Sequence, residues 1–206
     1  MEIMNQLQNL KKISKIKLAN NDPAHDFEHI MRVYRNAEKI CKTENVNKKL
    51  ILSAVLLHDI VKIKNQKDSA IKSAKLSEKI LKENNFFDDE IKIISDAIKE
   101  HSFSKGKIPS SIEGKILQDA DRLDAIGAIG LARVFSFSGS NNRPFYDPND
   151  PFSRNRSVND NKWALDHFFE KLLTLEKKMN TKTGKILAKN RTKILKNFLK
   201  ELKSEI

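Results

Sequence analysis

The dipeptide His58-Asp59 sits inside the apolar run VLLHDIV, where an imidazole and a carboxylate both face burial. An unpaired polar group in such surroundings costs free energy, and an unpaired charge costs more. One divalent ion satisfies both groups at once. A core histidine paired with its neighbour or with a backbone carbonyl also satisfies them, so the dipeptide alone decides nothing. Its company gives it weight. His29 lies upstream in an amphipathic stretch, and His101 lies downstream on an apolar stripe. Asp119, Asp121 and Asp124 follow within LQDADRLDAIGAIG. Three carboxylates this close repel one another without a cation. Their neighbours Ile116, Leu117, Ala120, Leu123, Ala125 and Ile126 argue against a fully solvated face. Two imidazoles with two carboxylates suit Mn²⁺, Fe²⁺, Co²⁺, Ni²⁺ or Zn²⁺ better than an all-oxygen Mg²⁺ site. Such an ion keeps positions for water and a phosphoryl oxygen.

The elements that must position these residues are helical. Apolar residues recur at helical spacing, and alternating runs are few. A first helix is expected over about 2–18. Asn20-Asn21-Asp22-Pro23 then stops it and starts the next, with Pro23 suited to a first turn. The second helix carries Phe27, Ile30, Val33, Tyr34, Ala37, Ile40 and Cys41. Asn47 is the expected cap of a third, which encloses His58-Asp59 and ends near Lys64-Asn65. A fourth is expected over about 68–82, and Asp88 is the expected cap of a fifth, which carries His101. Ser110 with Glu113 forms a capping box for a sixth, continuing to about Phe135. The stretch 136–159, SFSGSNNRPFYDPNDPFSRNRSVN, has no periodicity and holds three of the five prolines. A loop of that length inside a compact domain is often functional. Two long helices, about 160–180 and 183–203, complete the chain. The expected fold class is all-α. It is a single domain over 1–206, with a metal-binding core at about 22–135, a loop at 136–159 and C-terminal helices at 160–206.

The segments HDFEHIMRV, LLHDIVK, IKEHS and QDADRLDAIGAIGLARVF, in this order, resemble the HD superfamily of metal-dependent phosphohydrolases. The proline-bearing loop followed by DHFFEKLL looks like the bacterial YpgQ-like nucleotide pyrophosphohydrolases within it. The resemblance spans roughly 24–191. It implies a helical HD bundle that hydrolyses nucleoside triphosphates to monophosphate and pyrophosphate. Removal of phosphate from a nucleoside 5'-monophosphate is the alternative. It also implies that His29, His58, Asp59 and Asp121 hold one divalent ion, with Asp124 the alternative last ligand and Asp119 a weaker one. Mn²⁺ is the expected occupant, with Fe²⁺, Co²⁺, Ni²⁺, Zn²⁺ and Mg²⁺ as alternatives. His101 falls on the histidine that meets the substrate phosphate or the attacking water, and Asp59 and His101 are the expected catalytic pair.

The neighbours carry two readings each. His25, in a second HD dipeptide, is either an edge of the site or a helix-start residue. Its i, i+4 spacing to His29 resembles HExxH, but Asp26 stands where that motif needs Glu, so a protease is rejected. Lys62 either reaches a phosphate or points to solvent. Arg32 and Arg122 bind phosphate or brace the aspartates; Arg32 and Asp124 are assigned behind the ligands. Arg143, with Arg154, Arg156 and Tyr146, lies on the long loop, which is either a lid over nucleotide or a connector. His167 is read as structural.

Thirty-nine basic against 27 acidic residues give a net charge of +12. No block exceeds two adjacent basic residues, so a lysine-rich solvated surface is preferred to a nucleic-acid footprint. A basic helical nucleic-acid-binding protein is kept as the alternative of another class. Either way the field draws small phosphorylated substrates. The lone cysteine, Cys41, excludes an intrachain disulfide and suggests a cytoplasmic setting. No apolar run is long enough to span a bilayer, and no signal peptide is evident. A nucleotide is the expected partner, and a homo-oligomer is left open.

Overall fold

The computed structural model describes residues 2–19, 26–61, 69–102 and 108–206. Among them every regular element is helical. The chain divides into two compact units, Met1–Asp121 and Arg122–Ile206.

The first unit is built on α3 (Lys48–Leu57), in which every residue from Leu50 to Leu57 is buried. A helix apolar all round must be enclosed by others. It is met by α1 (Glu2–Lys17), α2 (Phe27–Cys41), α4 (Ser69–Glu83) and α5 (Asp88–Glu100). Asn47 caps α3 as expected, its side chain accepting from Lys49 N at 3.1 Å. Helices α4 and α5 pack side by side across a turn at Asn85, whose φ of 58° suits asparagine. Gln6 of α1 donates to the carbonyls of Asn84 and Asn85, tying that turn down. Lys49 pairs with Glu90 at 2.9 Å while lying 4.4 Å from the Phe86 ring centroid. Replacing a core residue such as Ile51 or Leu56 by Ala is expected to cost about 2–5 kcal/mol.

Helix α6 (Ile112–Asp124) begins one residue later than expected. Ser111, not Ser110, accepts from Gly114 N at 3.0 Å, and Ser110 donates to Glu100 instead. The helix does not run on to Phe135. It stops at Asp124, Ile126 adopts an extended conformation and Gly127 takes φ +80°, after which α7 (Gly127–Ser140) starts. Helix α7 also outlasts its expected end, because Ser138 is buried and returns its hydroxyl to the Val134 carbonyl.

In the second unit α7 packs on α9 (Lys182–Glu205), where Thr181 caps by accepting from Gly184 N. The rings of Phe135, Phe168 and Phe198 meet at centroid distances of 5.7–6.1 Å. The helix expected over 160–180 is instead α8 (Asp166–Glu170) followed by single 3₁₀ turns at Leu172–Thr174 and Glu176–Lys178. The cause lies just before α8. Ala164 N and Leu165 N donate to the carbonyls of Pro144 and Phe145, so this stretch pairs with the loop instead of coiling. The loop is well bonded. Buried Asp166 accepts two bonds from Arg156 at 2.6 and 2.8 Å, one from Ser153 and one from Asn159 N. Asp150 accepts from the backbone of Arg154 and Asn155.

Candidate metal centre

Asp26 caps α2 by accepting from His29 N at 2.9 Å, which sets His29 in the first turn. The His29 side chain is 2% exposed, and Nε2 points to two carboxylates: Asp121 Oδ1 at 3.6 Å and Asp59 Oδ2 at 3.9 Å.

The chain expected to stay helical through His58 and Asp59 leaves α3 at Leu57. His58 is the C-cap. Its fully buried ring lies with Nδ1 2.7 Å from the Val55 carbonyl, so the imidazole takes a bond that a further helical turn would have supplied. With Nδ1–H donating there, the lone pair is on Nε2. That atom is buried, has no hydrogen bond among the described residues and lies 3.8 Å from Asp59 Oδ2. Asp59 follows just past the helix end. Its carboxylate and the His58 Nε2 are brought within 3.8 Å of each other.

His101 repeats the arrangement as the C-cap of α5. Its Nδ1 donates to the Ile98 carbonyl at 2.5 Å, and its ring meets that of His58 edge-on, centroids 5.1 Å apart. Burial pushes the His101 imidazole below the usual histidine range, His58 adds to this, and the nearby Asp59 and Asp121 partly oppose it.

Donor atoms of His29, His58 and Asp121 lie within 4.8 Å of one another, as do those of His58, Asp59 and His101. Separations of 3.6–3.9 Å are too long for hydrogen bonds. They suit donors about 2.1 Å from a shared ion, which stand roughly 3–4 Å apart. The residues thus fit a divalent cation. An imidazole nitrogen buried with a free lone pair costs about 1–3 kcal/mol unless something ligates it. The floor is two buried histidines. The rim is Asp59 and Asp121, 29% and 31% exposed, so carboxylates face the solvent side.

The three aspartates of α6 separate by face. Asp121 joins the cluster, Asp119 is fully buried outside the two donor groups, and Asp124 is 1% exposed with its carboxylate on Arg133 at 2.6 Å. Arg122 is buried and its guanidinium donates to the Lys178 carbonyl. Arg143 donates to Ser138 Oγ and to the Asp160 carbonyl within the second unit. Arg32 is half-buried on α2. His25 and Lys62 lie outside the described residues. His167 bonds Asp160 at 2.8 Å, a pairing with a structural role.

Sequence reasoning missed Asp26 as a cap, Arg133 as the partner of Asp124, and Asn36, which donates to the Ala120 carbonyl beside the ligand. Asp26 carried a usable signal, an acidic residue directly ahead of an apolar-periodic run. Arg133, across a helix break from Asp124, carried none.

Comparison with known proteins shows the family of this chain. Residues 26–126 match the HD domain family. The chain is 32% identical over 211 residues to the uncharacterized protein YpgQ of Bacillus subtilis, covering all of this chain and 96% of YpgQ. The crystal structure of YpgQ in complex with ADP superposes with a TM-score of 0.81 at 30% identity, covering 100% and 97% of the two chains. An HD-superfamily hydrolase from Bacillus thuringiensis gives 0.79 at 32% identity, covering 98% and 97%. This all-α chain belongs to the HD-domain family of hydrolases. No helix among the described residues is long and apolar enough to cross a membrane.

Proposed function

We propose that the chain is a metal-dependent phosphohydrolase that cleaves a nucleoside triphosphate between its α- and β-phosphates, releasing pyrophosphate. The observation that carries this reading is a pair of donor groups, His29–His58–Asp121 and His58–Asp59–His101, that share His58, whose Nε2 has no hydrogen bond among the described residues; we take His29, His58, Asp59 and Asp121 as the ligands. A divalent ion there, Mn²⁺ by preference, supplies Lewis acidity to a phosphoryl oxygen and to water. His29 and His58 hold it from the buried side. Asp59 and Asp121 neutralise its charge from the open side, where substrate enters. His101, its Nδ1 fixed by Ile98, offers Nε2 as an acceptor for the attacking water. A nucleotide substrate is supported by the ADP complex of YpgQ. The net charge of +12 favours a polyphosphate over a neutral ester.

The test is hydrolysis of a deoxynucleoside triphosphate with Mn²⁺ in ¹⁸O-labelled water, with orthophosphate and pyrophosphate measured separately. Label in the nucleoside monophosphate, with pyrophosphate released, is expected. Labelled orthophosphate with diphosphate as co-product means attack at the γ-phosphate. Inertness toward triphosphates with rapid turnover of monophosphates means a nucleotidase. Salt-sensitive nucleic-acid binding that survives chelation, without hydrolysis, overturns the enzyme reading.

A further inference from the structure

Helix α2 carries a side-chain amide on its buried stripe. Asn36 is 3% exposed and interrupts a run of buried residues, Ile30, Val33, Tyr34, Ala37 and Ile40. A buried amide costs free energy unless it is bonded, and an apolar residue would fill the position without that cost. Its bond crosses to α6, where Asn36 Nδ2 donates to the Ala120 carbonyl at 3.0 Å. The carbonyl acceptor fixes the orientation of the amide, with its nitrogen toward α6. A carbonyl inside a helix already accepts the N–H four residues on, so Asn36 takes its second lone pair. The bond is therefore not needed to build α6. It registers one helix against another.

The two ends of this bond lie beside two candidate ligands. The Ala120 carbonyl belongs to the peptide whose N–H is that of Asp121. Asn36 follows His29 by seven residues, two turns of α2, so both project from one side of that helix. His29 Nε2 and Asp121 Oδ1 stand 3.6 Å apart, too far for a hydrogen bond and suited to two ligands of one ion. A spacing of that kind needs a tie that does not depend on the ion, and the amide bond between the same two helices supplies it. Gln118, three residues before Asp121, donates to the His101 carbonyl at 3.2 Å and ties α6 to the end of α5. All these residues lie within the first unit, Met1–Asp121. We propose that Asn36 is a positioning residue that holds α2 and α6 in register, so that His29 and Asp121 present their donors to one divalent ion. It acts through the two helix backbones and not by contact with ion or substrate. A buried asparagine between coiled-coil helices likewise sets register at some cost in stability. The inference rests on the metal-site reading above and adds to it the residue that sets the spacing of two ligands.

The full-length chain is tested with two variants and a control. Asn36→Leu keeps the branched shape and removes the amide, and Asn36→Ala removes it without filling the space. Gln6→Met is the control. Gln6 is also a buried amide bonded to carbonyls, but at the Asn84–Asn85 turn ahead of α5, whereas His101 caps the far end of that helix. Mn²⁺ binding is measured by titration calorimetry, the electronic spectrum is recorded with Co²⁺, and thermal unfolding is followed without metal. Expected is a roughly 10- to 100-fold weaker Mn²⁺ affinity in both Asn36 variants, the loss typical of groups behind a metal ligand, with an altered Co²⁺ spectrum. Gln6→Met should bind Mn²⁺ as the wild type does. Metal-free Asn36→Leu should unfold near the wild-type temperature, because the Ala120 carbonyl keeps its helical partner. A residue serving the fold alone would instead lower that temperature and leave the affinity of the folded protein unchanged. Wild-type affinity and spectrum in the folded Asn36 variants, or an equal loss of affinity in Gln6→Met, overturn the register role and leave the metal site standing. Absence of Mn²⁺ binding by the wild-type chain overturns the site, and the register role with it.

Discussion

His58 and His101 meet edge to face, their ring planes at 89° and their centroids 5.1 Å apart, although they cap different helices. Each ring is oriented by the carbonyl three residues earlier, so neither relies on the other. Their roles are therefore separable. His101→Gln should lower turnover by about 10²–10⁴-fold, the range for a lost acid–base group. Metal content by elemental analysis should stay at the wild-type level. Loss of the metal in this variant would make His101 a ligand instead.

His58→Ala and Asp59→Ala are expected to abolish metal binding and hydrolysis together. His58 provides the buried lone pair, and Asp59 is within 4 Å of both His29 and His58. Full metal content in either purified variant would sink the proposed centre.

Asp121→Ala and Asp124→Ala should fail in different ways. The first removes a ligand from the rim, so metal affinity collapses while the metal-free fold persists. The second strips the carboxylate from Arg133, an ion pair whose acid is 2% exposed. Leaving a charge without its buried partner costs about 3 kcal/mol, read as a lower urea midpoint without metal. Metal affinity falling further in Asp124→Ala than in Asp121→Ala would reverse the ligand assignment.

The loop after α7 is held by its own bonds, so amide exchange over residues 147–159 should already be slow without nucleotide. Asp166→Ala should release it. Burial opposes ionisation of Asp166, but the bonds from Arg156, Asn159 N and Ser153 outweigh it and hold the carboxyl below the usual aspartate range. The sign follows: stabilisation is complete above the ordinary aspartate pKa and fades as pH falls through the lower folded value. Wild-type loop exchange should therefore rise only in acid, while Asp166→Ala exchanges fast at neutral pH. Equal exchange in both proteins at neutral pH would contradict the role given to Asp166.

The all-α class and the order of the helices were legible because apolar spacing reports which face is buried. The residues that gather at the candidate centre, His29, His58, Asp59, His101 and Asp121, also stand out in the sequence as polar residues among apolar neighbours. The helix ends were not legible. Ile60 and Val61 continue the apolar text past His58, and nothing in periodicity says that an imidazole will take the Val55 carbonyl and end α3 there. Nor does it say that Asp166, written within what reads as one long helix, will gather Ser153, Arg156 and Asn159 and delay that helix. Both failures have one cause: a side chain bonded to backbone or to a distant partner overrides local pattern.

The two histidine caps also have an electrical consequence. A helix carries roughly half a negative charge at its C-terminal end, and α3 and α5 both end at the candidate centre, where the N-terminus of α2 opposes them. With Asp59 and Asp121 added, the centre is a negative well inside a chain whose net charge is +12. The molecule thus presents opposite signs at two length scales. Under the proposed function, the overall charge would draw in a polyanion from a distance, and the centre would retain the cation on which that polyanion would react.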